Sequence, residues 1–137
     1  MKRLFYLLAA AAFTACGSAT TLGVMTFNMR YDNPEDGANN WRFRRGRVAE
    51  VIASHGVDVF GTQELLANQL GDLKRLLPGY AAVGVGREDG AEAGEFSAVF
   101  YRRDRFTPLE SGTFWLSETP DVAGSKGWDG ACERVAT

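Results

Sequence analysis

The chain has 137 residues, which fits one domain at most, and its formal net charge is −2. Setting Lys2 and Arg3 of the leader aside leaves 13 basic and 17 acidic residues, a net charge of −4. A mildly acidic protein has no overall field that attracts nucleic acid, so phosphate would have to be bound by a local cluster or a metal. No run of about 18 or more apolar residues predicts a membrane-spanning helix, and two cysteines do not indicate a disulfide framework.

Residues 1–21 have the pattern of an export signal, with a positively charged start, an apolar stretch and small residues near the end. Residues 13–16, FTAC, resemble a bacterial lipoprotein cleavage box, in which Cys16 becomes the lipidated first residue. The alternative is ordinary cleavage near Ala15 or Ala19, which gives a soluble secreted protein. We therefore expect export, to the periplasm, outer membrane or cell surface if a lipid anchors the protein to the membrane, with residues 22–137 as the folded part.

The order of strand and helix patterns indicates the fold class. Strand formers, turn residues and apolar periodicity predict a strand over 22–29, a loop over 32–37, and a helix from Asn39 or Asn40 to about Ser54. The next predicted elements are a strand over 57–60 that ends in Gly61, a helix over 66–77 and a strand over 80–85. A charged loop over 86–94, a strand over 97–101, an extended segment or strand pair over 106–116, and the start of a strand at 134–137 follow. This order predicts an α/β layer fold. Because the later strands lack intervening helices, we expect a mixed sheet.

Two polar residues follow predicted strands that are joined by a crossover helix. Asn28 lies at the carboxyl end of the first strand, and Glu64 lies just beyond the strand over 57–60. A right-handed crossover brings two such ends to one edge of the sheet, where ligands of open α/β sheets bind. Asn28 could orient a phosphate or a water, and Glu64 could hold Mg²⁺, which prefers oxygen ligands. This is half of a site for metal-assisted phosphoester hydrolysis. The alternative is that Glu64 begins the next helix and favours its dipole.

Several segments resemble the endonuclease/exonuclease/phosphatase superfamily of metal-dependent phosphohydrolases. Residues 24–30, VMTFNMR, resemble its opening strand-then-Asn motif, and residues 58–64, DVFGTQE, resemble its Asp-x-x-x-x-Gln-Glu motif, in which the Glu binds the metal. Residues 111–120, SGTFWLSETP, closely resemble a segment of the bacterial branch. Residues 97–101 and 134–137 are similar to later strands of the family.

The resemblance implies a four-layered α/β sandwich, two mixed β-sheets flanked by helices, of which this chain is about the first half. It implies a nuclease, phosphodiesterase or phosphatase that uses Mg²⁺ or Mn²⁺, with Asn28 and Glu64 as catalytic and metal-binding residues. The substrate could be a nucleic acid, a phospholipid or a sugar phosphate; no protein partner is indicated. The family's other catalytic residues, an Asp/Asn pair and an Asp-His pair, lie in the second half, so the rival hypothesis is a truncated fragment that does not turn over alone.

Other side chains are weaker candidates for the site. Arg30 could line the site or brace a loop, and Arg134 could reach a phosphate. The remaining candidates each have a structural alternative: Arg87 and Glu92 in the charged loop, Trp115 and Trp128 as base-stacking or packing residues, and His55, which is expected to complement a helix end rather than act as a base.

Overall fold

A computed structural model describes residues 21–137; residues 1–20, which include Cys16, lie outside the described part. The elements in the described part are β1 (Val24–Asn28), a 3₁₀ helix (Pro34–Asn39), α1 (Trp41–His55), β2 (Val59–Gln63), α2 (Ala67–Leu76), β3 (Tyr80–Val83), β4 (Val99–Arg102), β5 (Phe114–Trp115) and β6 (Val135–Ala136). Neither α1 nor α2 is long and apolar enough to cross a membrane.

The larger sheet has four strands in the order β1-β2-β4-β3. β1 and β2 are parallel, with Asn28 opposite Gln63 in the register, and α1 forms the crossover between them. β4 runs antiparallel to both β2 and β3. β5 and β6 pair antiparallel in a second sheet. The prediction of an α/β fold with a mixed sheet is therefore confirmed.

One hydrophobic core joins the larger sheet to both helices. Phe60 of β2 and Phe100 of β4 are fully buried and stack with ring centroids 4.5 Å apart. Ile52 of α1 and Leu73 of α2 are also fully buried in this core. Burying each side chain of this size stabilises the fold by about 2 kcal/mol. The core therefore fixes the positions of β1 and β2, and with them the residues at the carboxyl ends of these two strands.

The ends of α1 follow the signals in the sequence. Asn40 caps the helix, because its Oδ1 accepts a hydrogen bond from Arg42 N at 3.2 Å. Gly56 ends it in the left-handed conformation, at a φ of 56°. The predicted start at Asn39 or Asn40 and the predicted end near Ser54 are confirmed. α2 likewise ends just before Pro78, as predicted.

Three predicted boundaries are wrong. β2 runs through to Gln63 instead of ending in Gly61, because its pairing with β1 continues to that residue. The predicted loop over 32–37 contains most of the 3₁₀ helix, since Asn33 Oδ1 accepts from Glu35 N at 3.0 Å and Pro34 occupies the first helical turn. Of the two alternatives predicted over 106–116, a strand pair does not form there: only Phe114–Trp115 is a strand, because only this part pairs with the two-residue β6.

Candidate functional site at the carboxyl end of β1 and β2

The two residues that the sequence brings to one edge do meet there. Asn28 is the last residue of β1, and Glu64 follows the last residue of β2. The side-chain Nδ2 of Asn28 donates a hydrogen bond to Glu64 Oε1 at 2.9 Å. The parallel register and the crossover helix are the physical cause, since they place both strand ends side by side.

Backbone N–H groups of the loop after β1 orient this pair. Arg30 N donates to Asn28 Oδ1 at 2.8 Å, so the amide oxygen of Asn28 faces the loop and its NH₂ faces the carboxylate. Tyr31 N contacts Glu64 Oε2 at the long distance of 3.4 Å. Glu64 Oε2 therefore keeps most of its capacity to accept a hydrogen bond or bind a cation.

Both loops at this edge contain a non-glycine residue in the left-handed region. Arg30 has a φ of 52° and Glu64 a φ of 56°. Such residues are uncommon and concentrate at functional sites, where the surrounding structure holds them. Glu64 also lies two residues before Leu66, the N-cap of α2. Glu64 therefore lies outside the first turn of α2, whereas the alternative that Glu64 begins the helix requires it to lie in that turn.

The pair opens into a cleft of about 190 Å³. Its lining includes two carboxylates and two guanidinium groups among the residues Asn28, Gln63, Glu64, Arg87, Glu95, Phe96, Ser97, Arg134 and Val135. The volume is below the range of about 300–1,000 Å³ that is typical of small-molecule sites. The cleft therefore suits a phosphoryl group better than a whole nucleotide.

The two arginines of the cleft differ in their partners. Arg87 forms an ion pair with Glu95 at 2.8 Å, and both side chains are largely buried. Arg134 is exposed and makes no ion pair with the residues between 21 and 137. The positive charge of Arg134 is therefore available to an anion, whereas the charge of Arg87 is balanced by its neighbour.

Arg30 lies beside the site but is engaged elsewhere. Its guanidinium pairs with Asp36 at 2.9 Å, and the hydrogen bond it donates lowers the pKa of that carboxyl. The Arg30 side chain does not line the cleft. It braces the loop that follows β1 in this arrangement, and its contact with substrate stays a prediction.

The other candidates lie away from the cleft or serve packing. Trp115 is 6% exposed and donates its indole N–H to Arg87 O at 2.6 Å, so it packs beneath the charged loop, whereas Trp128 is 66% exposed. His55 ends α1 and contacts Val51 O through Nδ1 at 2.8 Å, as expected for a residue at a helix end. Glu92 is exposed and is not among the cleft residues.

The donor set of the site is compatible with a magnesium-like ion. Within residues 21–137, no three His, Cys, Asp or Glu side chains come together as a metal-binding group. Mg²⁺, however, usually keeps several waters and binds through one or two carboxylates plus substrate phosphate. Glu64 supplies one carboxylate with a lightly used oxygen. Asn28 Oδ1 accepts one hydrogen bond and retains a second lone pair.

Two buried polar residues have structural roles that the sequence patterns alone did not assign. Asp58, the first residue of the 58–64 motif, is 4% exposed at the opposite end of β2. It accepts a hydrogen bond from Gly23 N at 2.9 Å and pairs with Arg105 at 2.5 Å, which together lower its pKa. Gln69 is fully buried in the first turn of α2. A Gln at the third helical position is a capping signal that the sequence offered.

Comparisons with known proteins show which sequences and folds this chain resembles. A sequence model of the Endonuclease/Exonuclease/phosphatase family matches residues 25–137. The crystal structure of the endonuclease/exonuclease/phosphatase from Bacteroides vulgatus is 52% identical in sequence, with a TM-score of 0.79 over 80% of this chain and 42% of that one. A search of curated proteins finds no match.

Two further solved structures are similar. The mannosyl-6-phosphatase Bt3783 of Bacteroides thetaiotaomicron is 49% identical, with a TM-score of 0.81 over 84% of this chain and 43% of that one. A functionally unknown conserved protein of Enterococcus faecalis is 32% identical, with a TM-score of 0.77 over 83% of this chain and 44% of that one. The chain therefore spans less than half the length of these structures. The family match over most of its length nevertheless shows that the chain belongs to the endonuclease/exonuclease/phosphatase family.

Proposed function

We propose that this chain is part of a Mg²⁺-dependent phosphoester hydrolase whose substrate is a sugar phosphate. The observation that carries the proposal is the Asn28–Glu64 pair, which lines one cleft together with Arg134. A carboxylate for a hard cation and a guanidinium for a phosphate oxygen are the groups that such a reaction needs within one small site.

Each residue has a separate task in this proposal. Glu64 would hold the metal ion through Oε2, and Mn²⁺ would serve in place of Mg²⁺. Asn28 would keep the carboxylate in position through its NH₂ and present Oδ1 to the ion or to an attacking water. Arg134 would bind a phosphoryl oxygen across the cleft. When bound, the ion would polarise the phosphoryl oxygen and offset the negative charge that develops during hydrolysis.

The choice of a sugar phosphate rests on two observations. A relative that is 49% identical over 84% of this chain is named a mannosyl-6-phosphatase. The residues outside the leader carry a net charge of −4. Because affinity for nucleic acid comes mainly from Lys and Arg contacts to phosphates, an acidic protein is a poor candidate for a nuclease.

The rival proposal is that the chain does not turn over alone. Glu64 and Asn28 are two of the groups that the family is expected to use, and the similar structures are more than twice as long as the part that matches. We also propose that the protein is exported, with Cys16 as a lipid attachment site, on the strength of its first 21 residues.

The test is hydrolysis by the purified protein after EDTA treatment, measured as phosphate from the sugar phosphate, p-nitrophenol from the diester and acid-soluble nucleotides from DNA. Mannose 6-phosphate, bis-p-nitrophenyl phosphate and single-stranded DNA are compared with and without added Mg²⁺ or Mn²⁺. We expect metal-dependent release that is fastest from the sugar phosphate. Faster cleavage of DNA or of the diester would refute the assignment of a sugar phosphate as the substrate. Activity in EDTA would refute the dependence on a metal ion, and no product from any substrate would favour the rival proposal.

A further inference from the structure

Gln69 is a fully buried polar side chain that joins the two loops of the site. Its Oε1 accepts hydrogen bonds from Leu66 N at 2.9 Å and from Asp32 N at 3.2 Å. Its Nε2 donates to Arg30 O at 3.0 Å. A side-chain amide has two donors and two acceptor sites, so three of its four positions are used. An amide that is 0% exposed and bonded in this way is held in one orientation.

The partners of Gln69 are the backbone groups next to those that orient Asn28 and Glu64. Arg30 O accepts a hydrogen bond from Gln69 Nε2, and Arg30 N donates one to Asn28 Oδ1. Asp32, which also bonds Gln69, is the neighbour of Tyr31, whose N–H contacts Glu64 Oε2. Gln69 therefore bonds the loop after β1 on both sides of the residue that reaches the carboxylate.

The same side chain bonds the loop after β2. Leu66 N, its third partner, lies two residues beyond Glu64. Arg30 and Glu64 both have a left-handed backbone, which a non-glycine residue keeps only where neighbouring bonds hold it there. One amide thus fixes both of these backbone segments with respect to each other.

We infer that Gln69 is a positioning residue for the Asn28–Glu64 pair. It acts through the N–H of Arg30, which holds Asn28 Oδ1, and Asn28 in turn holds Glu64 Oε1. It also fixes the distance between the two loops. This inference deepens the proposed function and rests on it for the effect on catalysis, whereas the effect on the geometry of the pair is independent of any activity.

The competing explanation is that Gln69 only stabilises the start of α2. Asp72 provides a matched control, because it is also buried on α2 and bonded to another element, but its partners are Trp41 Nε1 at 2.8 Å, Arg45 at 3.1 Å and Arg75. Within residues 21–137, Asp72 makes no hydrogen bond or ion pair with the loops of the site. A variant of Asp72 therefore destabilises the same helix without releasing those loops.

The experiment compares Gln69→Met, which keeps the volume and removes the hydrogen bonds, with Asp72→Ala and the wild type in the full chain. The first readout is the pair of NMR signals from the Asn28 side-chain amide, with Glu64→Leu as the reference for a free amide. We expect Gln69→Met to move these signals toward that reference and Asp72→Ala to leave them in place. This readout requires neither substrate nor metal.

The second readout is kcat and KM for metal-dependent phosphate release. Loss of a group that orients a metal ligand typically lowers activity or metal affinity by about 10- to 100-fold. We expect a fall of that size in kcat for Gln69→Met, with a smaller change in KM, and a kcat near that of the wild type for Asp72→Ala at a similar loss of Tm.

The outcomes separate the inference from the proposed function. A wild type that hydrolyses no phosphoester would favour the rival proposal that the chain does not turn over alone, while the Asn28 signals would still decide the role of Gln69. If Gln69→Met does not fold, Gln69→Glu takes its place, since its carboxylate accepts from Leu66 and Asp32 but cannot donate to Arg30. Unchanged Asn28 signals in the folded variant would overturn the inference. So would failure of both Gln69 variants to fold while Asp72→Ala folds, because Gln69 would then serve stability alone.

Discussion

Replacing Glu64 with glutamine keeps the shape of the side chain and removes its negative charge. In the structure, Glu64 Oε1 accepts from Asn28 Nδ2 at 2.9 Å, and the carbonyl oxygen of a glutamine can accept the same bond. The contact of Oε2 with Tyr31 N, at 3.4 Å, is too long to contribute much. The variant is therefore expected to fold as the wild type does.

The expected effects on stability and on catalysis differ widely in size. Exchanging a charge-assisted hydrogen bond for a neutral one at this edge should lower the free energy of unfolding by about 1 kcal/mol or less. If Glu64 holds the metal ion as proposed, loss of its carboxylate should lower turnover by on the order of a thousandfold, which corresponds to about 4 kcal/mol of transition-state stabilisation. The ratio of these two effects is what distinguishes a metal ligand from a structural residue.

The assay measures phosphate release with Mg²⁺ and the affinity for Mn²⁺ by calorimetry, together with thermal unfolding in EDTA. Glu50→Gln is the matched control, because Glu50 is an exposed carboxylate on α1 that pairs with Arg47. It should leave all three quantities unchanged. If Glu64→Gln retained turnover and Mn²⁺ affinity near those of the wild type, Glu64 would not be the metal ligand and the assignment of the site would be wrong.

Three other expectations concern stability and export. The pKa of Asp58 is lowered by the hydrogen bond from Gly23 and by Arg105. The contribution of Asp58 to stability is therefore present above the ordinary pKa of about 3.9 and is lost as the pH falls through the lower folded value. The difference in Tm between wild type and Asp58→Asn should narrow only below about pH 4, and a difference that does not change with pH would contradict this. Asp72→Ala should cost about 1–3 kcal/mol in urea unfolding, because it leaves a buried indole N–H without its partner; a loss no larger than that of the exposed Asp121→Ala would contradict it. Labelling of cells with a palmitate analogue should mark the wild type and not Cys16→Ser, and equal labelling would leave ordinary secretion as the explanation.

The pairing of Asn28 with Glu64 could be predicted because its causes are local. Each residue follows a short run of strand formers, and the segment between them has clear helix signals at Asn40 and Gly56. Handedness rules then leave one arrangement for two parallel strands joined by a helix. No long-range contact has to be known to place these two side chains at one edge.

The rest of the cleft depends on contacts between distant parts of the chain. Arg87 and Glu95 reach it because the charged loop folds back, with Phe96 bridging to both Leu65 and Gly86. Such single bridges have no periodicity that a sequence pattern could reveal. The contribution of Arg134 similarly depends on β6, a strand of two residues that pairs with β5.

The two carboxylates of the 58–64 motif show how partners separate a structural from a functional acid. Asp58 and Glu64 lie at opposite ends of β2. Asp58 is surrounded by cations, Arg105 at 2.5 Å and Arg102 at 3.7 Å, and by the Gly23 N–H, so its charge is already neutralised. Such a carboxylate has little to offer a metal ion.

Glu64 has the opposite environment. Its one short contact is a neutral amide, and it makes no ion pair with any residue from 21 to 137. A carboxylate that the fold orients but does not neutralise retains its charge for a cation. Because Asn28 uses its NH₂ to hold Glu64 Oε1, the other oxygen is the one that remains for the ion. The contrast with Asp58, which precedes β2 as Glu64 follows it, is the physical reason to propose Glu64 as the metal ligand.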